Sequence, residues 1–250
     1  MRMKAMVAVV TGGGSGFGEG ICHAFADQGA KVVVADINPA GGERVAAALR
    51  TYGAKFCQVD VSRSDEMKAL VEFTLKTHGR LDLMVNNAGM SHVKQPMLNV
   101  PEEMFDRIFQ VNVKSIYLSA MHCLPVFRRQ GGGAFINVAS TAGVRPRPGL
   151  TWYNGSKGAV VILTKSMAVE LAPEKIRVNA INPVIGETAL LTTFMGTDDT
   201  PQNRSPFVAG IPLGRLSRPA DVANAAVFLA DPASEFLTGV CLEVDGGRCI

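Results

Sequence analysis

Thr11-Gly12-Gly13-Gly14-Ser15-Gly16-Phe17-Gly18 joins a short valine-rich run, residues 5–10, to a segment of helical periodicity, residues 19–28. The apolar run predicts a buried strand. Glycines let the backbone turn tightly and approach a ligand closely, and the first turn of a helix has free N–H groups that attract an anion. Strand, glycine turn and helix in this order predict a loop that binds the phosphates of a dinucleotide. The alternative is an ordinary glycine-rich turn.

A second buried strand is predicted over residues 31–35, and Asp36 stands at its end. This is about 20 residues beyond the glycines, where an acid accepts the hydroxyls of the adenosine ribose. A cap of the next helix is the alternative role for Asp36. A 2′-phosphate would lie against this carboxylate, so Asp36 favours NAD over NADP. Arg44 is the one nearby cation that competes with this interpretation.

Strands and helices alternate along the rest of the chain, which predicts a doubly wound, mostly parallel α/β sheet of the Rossmann type, with helices on both faces. We expect one domain, residues 1–250. Further strands are predicted over residues 55–59, 81–85, 133–139, 177–182 and 239–244, and helices over residues 40–52, 102–123, 151–171 and 219–229. One more helix, capped by Ser62 or Ser64, is predicted to run to about Thr77. Ligands bind at the carboxyl ends of such strands. The residues expected there are Gly12, Asp36, Asp60, Asn87, Ser140 and Pro183.

Tyr153-Asn154-Gly155-Ser156-Lys157 begins the helix predicted over residues 151–171. A tyrosine and a lysine four residues apart share one helix face. The lysine charge would lower the tyrosine pKa from about 10, so that the phenol exchanges a proton near neutral pH. Interconversion of an alcohol and a ketone requires such an exchange. A packed tyrosine beside a solvated lysine is the alternative.

Two further segments stand out. Asn112 lies in the middle of the helix predicted over residues 102–123, where asparagine competes for backbone hydrogen bonds. Residues 187–211 are polar and contain Gly196, Pro201 and Pro206, so we expect an irregular segment that forms a mobile lid over the site.

The composition, 47% hydrophobic and 19% charged residues, is typical of a folded globular domain. No apolar run is long enough to cross a membrane, and no block of lysine and arginine indicates binding to nucleic acid or a membrane surface. The five cysteines are scattered, which favours a reduced, cytoplasmic protein. The four histidines lack ligand spacing, so no metal site is predicted.

These motifs together resemble the short-chain dehydrogenase/reductase family over essentially the full chain. The matching residues are Thr11-Gly12-x-x-x-Gly16-x-Gly18, Asp60-Val61, Asn86-Asn87-Ala88-Gly89, Asn112, Ser140, Tyr153-x-x-x-Lys157 and Asn182-Pro183.

The resemblance implies catalytic roles for four residues. Tyr153 would be the general acid/base, Lys157 would lower its pKa and bind the nicotinamide ribose, and Ser140 would donate a hydrogen bond to the substrate oxygen. Asn112 would hold a water that links Lys157 to solvent. The implied NAD site comprises Gly12, Ser15, Gly16, Phe17, Gly18, Asp36, Ile37, Asp60, Val61, Asn87, Ala88, Gly89, Tyr153, Lys157, Pro183, Gly186 and Thr188.

The resemblance also implies a homotetramer. The expected contacts are the helices around 102–123 and 152–171 and the last strand with its tail. One stretch departs from the family pattern, because Val184 replaces the usual glycine and Gly186 the usual aliphatic residue in Pro183-Val184-Ile185-Gly186-Glu187-Thr188.

The leading hypothesis is an NAD-dependent oxidoreductase acting on a secondary alcohol or ketone. The alternatives are a 3-ketoacyl-thioester reductase, of the kind that acts on acyl carrier protein, and a non-catalytic NAD-binding regulator. Arg145 and Arg147 would clamp an acidic substrate group, unless they are solvated loop charges or a subunit contact. Trp152 and His92 are further candidates for contact with a small-molecule substrate.

Overall fold

Seven strands alternate with helices in the computed structural model, which describes residues Met1–Ile250. The strands are β1 (Val7–Thr11), β2 (Lys31–Asp36), β3 (Lys55–Gln58), β4 (Leu83–Asn86), β5 (Gly133–Val138), β6 (Ile176–Pro183) and β7 (Cys241–Val244). The helices are α1 (Gly16–Asp27), α2 (Pro39–Ala48), α3 (Ser64–His78), α4 (Glu102–Phe109), α5 (Ser115–Gln130), α6 (Thr151–Leu171), α7 (Leu191–Met195), α8 (Pro201–Val208) and α9 (Pro219–Ala230).

All strand pairs of the sheet are parallel, in the order β3-β2-β1-β4-β5-β6-β7. The order reverses between β1 and β4, where Val10 pairs with Val34 on one side and Val85 on the other. Connections leave the sheet in opposite directions from this point, so a crevice opens at the carboxyl ends of β1 and β4. The predicted fold class, a doubly wound parallel sheet, is confirmed.

The sheet is covered on both faces. Successive residues of β1 point to opposite sides, and all five are buried. Ala8 and Val10 pack with apolar residues of α1, α2 and α9, whereas Val9 packs with those of α3, α5 and α6. Burial on both faces explains why this strand is an unbroken apolar run rather than an alternating one.

The helix predicted over residues 102–123 differs from the structure. Helix α4 ends at Phe109, a π-helical turn spans Gln110–Lys114, and α5 continues to Gln130 with Pro125 inside it. Asn112 lies in this turn and is 3% exposed. Turns of this kind commonly mark functional sites, and sequence periodicity alone does not reveal one.

Residues 187–211 are more ordered than the sequence indicates, because the segment contains α7 and α8. Pro201 begins α8, and the Thr200 hydroxyl caps it by accepting from the backbone N–H of Asn203 at 3.2 Å. Leu191, Met195 and Ile211 are buried together with residues that flank the segment. The expectation of an irregular segment was therefore wrong, and its mobility stays a prediction.

The helices range from short turns to the 21 residues of α6. None is both long and apolar enough to span a membrane. The five cysteines are free thiols, and no group of three or more His, Cys, Asp or Glu side chains is placed to hold a metal ion.

Candidate active site

A cavity of about 420 Å³ opens at the carboxyl ends of the central strands. Its lining includes most of the residues expected there from the sequence: Gly12, Ser15, Gly16, Phe17, Asp36, Ile37, Asp60, Val61, Asn87, Ala88, Gly89, Ser140, Arg147, Tyr153, Lys157, Pro183, Gly186 and Thr188. Five expected residues do not line it: Gly18, His92, Asn112, Arg145 and Trp152.

The glycine loop forms one wall of the cavity. Gly12 and Gly16 have φ angles of +63° and +55°, a left-handed conformation that favours glycine. Ser15 precedes α1 without making a side-chain cap hydrogen bond. The first-turn N–H groups of α1 are therefore free to bind an anion.

Gly18 has a packing role instead of lining the cavity. A Cβ atom at this position would lie 2.1 Å from the Gly12 carbonyl oxygen and 2.5 Å from Asn87 Nδ2. Only a glycine lets α1 approach β1 and the turn after β4 this closely. The structure thus shows a packing role for Gly18, and its contact with the cofactor stays a prediction.

Asp36 is fixed by two backbone groups. Its Oδ2 accepts a hydrogen bond from Gly14 N and its Oδ1 one from Asn38 N, both at 2.8 Å. These bonds hold the carboxylate at the edge of the cavity, next to the glycine loop.

Arg44, the nearby cation that could have bound the 2′-phosphate of NADP, is paired with Glu19. Its guanidinium donates to both Glu19 carboxylate oxygens, at 2.6 and 2.7 Å, and to the Gly14 carbonyl at 3.1 Å. The hydrogen bond from Arg44 holds the pKa of Glu19 below its usual value. Arg44 is therefore charge-compensated.

Asp60 belongs to a small polar network that the sequence did not reveal. Its Oδ1 accepts from the Ser62 hydroxyl at 2.6 Å, and its Oδ2 from Arg107 Nη2 at 3.1 Å. Burial alone would raise the pKa of Asp60, but the bonds from Ser62 and Arg107 outweigh it and lower the pKa. Arg107 also lines the cavity, and no sequence spacing links it to Asp60.

The turn Asn86-Asn87-Ala88-Gly89 is tied to the end of β1. Asn87 Nδ2 donates to the carbonyls of Thr11 and Gly12 at 2.8 and 3.2 Å. The Thr11 hydroxyl accepts from the backbone N–H of Asn87 and of Ala88. These bonds join the two strand ends that flank the crevice.

Tyr153 and Lys157 both lie on α6 and face the cavity, 6% and 5% exposed. Lys157 Nζ donates to the Val138 carbonyl at 2.8 Å and lies 5.9 Å from the centre of the Tyr153 ring. Burial lowers the pKa of Lys157 to about 8.

Burial raises the pKa of Tyr153 to about 12, although the Ser140 hydroxyl and the Arg147 charge act in the opposite direction. The expectation that Lys157 lowers this pKa is wrong for the protein without cofactor. Its ammonium is directed to a backbone carbonyl, and desolvation of the phenol dominates.

Ser140 follows β5 and points towards β6. Its Oγ accepts from Ala142 N at 3.1 Å and lies 3.5 Å from the Pro183 carbonyl. Ser140 and Tyr153 line the same cavity, and the Ser140 hydroxyl is close enough to act on the pKa of Tyr153.

Asn112 does not line the cavity but forms hydrogen bonds with residues next to it. Its amide exchanges two 2.9 Å hydrogen bonds with the backbone of Met90 and donates to Ser156 Oγ at 3.0 Å. Ser156 in turn donates to the Tyr153 carbonyl at 2.8 Å. The π-helical turn is thereby connected to the helix that carries Tyr153, a link that the sequence analysis missed.

The residues expected to contact substrate separate into two groups. Arg147 lines the cavity. Arg145 instead donates to the Arg248 carbonyl in the C-terminal tail, and Trp152 Nε1 donates to the Met97 carbonyl at 3.2 Å. His92 is buried, with Nδ1 2.9 Å from the Val93 carbonyl. A clamp formed by Arg145 and Arg147 together is not seen.

Phe17 explains why Gly186 stands where the family pattern has an aliphatic residue. A Cβ atom on Gly186 would lie 2.4 Å from Cζ of the Phe17 ring and 2.7 Å from the Ser217 hydroxyl. The aromatic ring therefore occupies the space of the usual aliphatic side chain. Val184, the other departure, is buried in the apolar cluster beneath α7.

Comparison with known proteins agrees with this geometry. A family model described as "Enoyl-(Acyl carrier protein) reductase" matches residues 12–248. The 4-formylbenzenesulfonate dehydrogenase of Comamonas testosteroni is 50% identical over 252 residues, covering 100% of both chains. The 7alpha-hydroxysteroid dehydrogenase of Escherichia coli K12 is 34% identical, covering 99% of this chain and 95% of that one.

Among solved structures, a 3-ketoacyl-(acyl-carrier-protein) reductase from Brucella melitensis, complexed with NADH, superposes with a TM-score of 0.94. It is 48% identical, and the match covers 99% of this chain and 100% of that one. The strand order, the glycine loop and the buried Tyr153 and Lys157 agree with these relationships. The chain belongs to the short-chain dehydrogenase/reductase family.

Proposed function

We propose that this protein is an NAD(H)-dependent oxidoreductase that interconverts a secondary alcohol and a ketone, with Tyr153 as the general acid/base. The observation that carries the proposal is that Tyr153, Ser140 and Lys157 line the same cavity as the glycine loop and Asp36. A proton-exchanging group and a dinucleotide site are thus within one enclosed space.

The cavity residues fit NAD. The left-handed glycines and free N–H groups of α1 suit the pyrophosphate, and Asp36 suits the two ribose hydroxyls. Bound NAD would supply the acceptor or donor of the hydride. The Brucella melitensis reductase, complexed with NADH, supports this cofactor.

The chain's own residues would move the proton and hold the substrate oxygen. Tyr153 would take the hydroxyl proton as the alcohol is oxidised, and Ser140 would donate a hydrogen bond to the same oxygen. A low-dielectric cavity strengthens that bond as charge develops on the oxygen.

Asn112 and Lys157 both approach Gly89. Asn112 Oδ1 and Lys157 Nζ each lie 3.4 Å from the place of a Cβ atom on Gly89. Both polar groups therefore lie beside Gly89, and a water bound between them would relay protons from Lys157, as the family resemblance implies.

Two observations bear on the alternatives. A protein named as a ketoacyl reductase and complexed with NADH is 48% identical, so Asp36 no longer argues against that activity. The Comamonas relative is named for an aromatic aldehyde with a sulfonate group, which brings aldehydes into consideration. Because Asn112, Ser140, Tyr153 and Lys157 are all present, a non-catalytic regulator is the least supported alternative.

The test is turnover of a secondary alcohol, an aromatic aldehyde and a 3-ketoacyl thioester with NAD(H) and NADP(H). Wild-type kcat/KM should favour NAD by more than about tenfold. A phosphate charge about 4 Å from Asp36 costs roughly 4 kcal/mol at an effective dielectric near 20, and half of this gives about thirtyfold.

Two variants accompany the assay. Asp36→Asn retains an oxygen that can accept a hydrogen bond from the backbone but removes the negative charge. It should therefore reduce the preference for NAD over NADP. Tyr153→Phe should reduce turnover by about 10²- to 10⁴-fold while NAD still binds. NAD binding without turnover of any compound would favour a non-catalytic NAD-binding regulator. A higher kcat/KM with NADP than with NAD would refute the assignment of NAD as the coenzyme.

We also propose that the protein is a homotetramer. Strand β7 is a sheet edge, paired only with β6, and unpaired edges require covering. Tyr117 and Met121 on α5 and Val169 on α6 are more than half exposed. These apolar side chains lie on the helices from which subunit contacts were expected.

A further inference from the structure

Arg147 differs from most arginines of this protein. Nine arginines form ion pairs within 4.0 Å: Arg2, Arg44, Arg63, Arg80, Arg107, Arg128, Arg204, Arg215 and Arg218. Arg147 forms none, yet it is partly buried and lines the active-site cavity. Its guanidinium lies over the Phe207 ring, 5.5 Å from the centroid. A partly buried cation without an acidic partner is costly unless a ligand supplies the opposite charge.

The surroundings of Arg147 are basic. Burial lowers the pKa of Arg147, and the nearby Arg248 charge lowers it further. Arg145 is bonded to the backbone of Arg248. Asp245, in the same tail, uses its carboxylate to accept from the backbone N–H groups of Gly247 and Cys249. The charges of Arg147 and Arg248 are therefore close together, Arg145 contacts the same tail, and none of the three arginines forms an ion pair.

The cavity between Tyr153 and Arg147 is apolar. The Phe194 ring lies 5.1 Å from the Tyr153 ring, centre to centre, and Leu150 and Leu190 complete the wall. Arg147 is near enough for its charge to act on Tyr153. A ligand in this cavity can therefore contact a proton-exchanging group, apolar walls and a cation.

We propose that the substrate is a small carbonyl compound or alcohol with an apolar, ring-sized body and an anionic group, a carboxylate or sulfonate, which Arg147 binds with support from Arg248. This inference rests on the proposed function, because it concerns the same cavity. Planar guanidinium groups suit such anions, since two N–H groups can donate to two oxygens.

The test compares 4-formylbenzoate with 4-formylbenzamide, which have nearly the same shape but differ in charge, with NADH as reductant. Wild-type kcat/KM should be more than about tenfold higher for the carboxylate. Arg147→Gln should reduce the carboxylate-to-amide ratio of kcat/KM by about 10- to 100-fold, mainly through KM. A change in proton transfer by Tyr153 affects both aldehydes, so the ratio isolates binding of the anion.

Arg248→Gln should reduce the ratio less, because Arg248 does not line the cavity and acts on the anion from further away. The control is Arg50→Gln, an exposed arginine that forms no ion pair and lies outside the cavity. It should leave both activities unchanged. The KM of the carboxylate, and not of the amide, should rise with ionic strength.

A wild-type ratio near one, or equal losses for both aldehydes in Arg147→Gln, would overturn the inference. Failure to turn over either aldehyde would leave the proposed function to its own assay with a secondary alcohol and a 3-ketoacyl thioester, and the anion site would then be tested by binding. In that case, thermal shifts of the NAD complex with benzoate and benzamide decide the matter. Benzoate should stabilise wild type more than benzamide does and lose this advantage in Arg147→Gln, and equal effects in wild type would overturn the inference.

Discussion

Replacing Lys157 by methionine measures how much the buried charge of this active-site lysine destabilises the folded protein. Lys157 is buried, and burial lowers its pKa from 10.5 to about 8. Between these two values the unfolded chain retains a proton that the folded protein has released. The stability of wild type therefore rises with pH through this window, as the penalty for burying the charge disappears.

The size of the effect follows from the pKa difference. A shift of about 2.5 units costs the folded protein roughly 3 kcal/mol at pH 7. At pH 9.5 most of the folded lysine is neutral, and the cost falls to about 1 kcal/mol. The advantage of Lys157→Met over wild type should thus shrink by about 2 kcal/mol between these pH values.

Urea unfolding of both proteins at pH 7 and pH 9.5 measures this change. Lys157→Met loses the hydrogen bond to the Val138 carbonyl at both pH values, and the part of that bond that depends on the lysine charge is already included in the pKa shift. Lys165→Met, an exposed lysine on the same helix, is the matched control and should show no such trend. If the stability difference between wild type and Lys157→Met is the same at both pH values, the charge of Lys157 is not destabilised by burial.

Three further predictions concern assembly, mobility and packing. Light scattering at micromolar concentration should give a mass near four chains, and a mass near the 26.5 kDa of one chain would refute the tetramer. Hydrogen exchange should be fast in residues 187–211 without ligand and slower with cofactor and substrate bound, whereas equal protection in both states would argue against a lid. Gly186→Val should destabilise the protein by about 1–3 kcal/mol through overpacking against Phe17. Adding Phe17→Ile should recover at least half of that loss of stability in urea unfolding. No recovery would show that the side chains at positions 17 and 186 do not compete for the same space.

The fold was predictable because several independent signals coincide in the sequence. Apolar β-branched runs marked the strands, and glycines and polar residues followed them at regular intervals. The parallel arrangement then placed Asp36, Ser140 and Tyr153 around one cavity, as the structure shows. Here the local pattern and the long-range arrangement point to the same result.

The site was less predictable where side-chain direction decides function. Arg145 and Arg147 are two residues apart, yet one contacts the C-terminal tail and the other the cavity. Trp152 adjoins Tyr153, but helical geometry turns it towards Phe105, with ring centres 5.4 Å apart. The contact of Arg107 with Asp60 joins positions 47 apart in the chain, which no local pattern encodes.

The pair Arg44 and Glu19 has a consequence for how coenzyme preference evolves in this chain. Loss of the Asp36 carboxylate would remove the repulsion of a 2′-phosphate but leave Arg44 neutralised by Glu19. Loss of Glu19 would release the guanidinium while Asp36 still repels the phosphate. Neither single substitution builds a phosphate site, so a change of preference to NADP requires both. Combining the two substitutions is accordingly the shortest route for engineering that exchange.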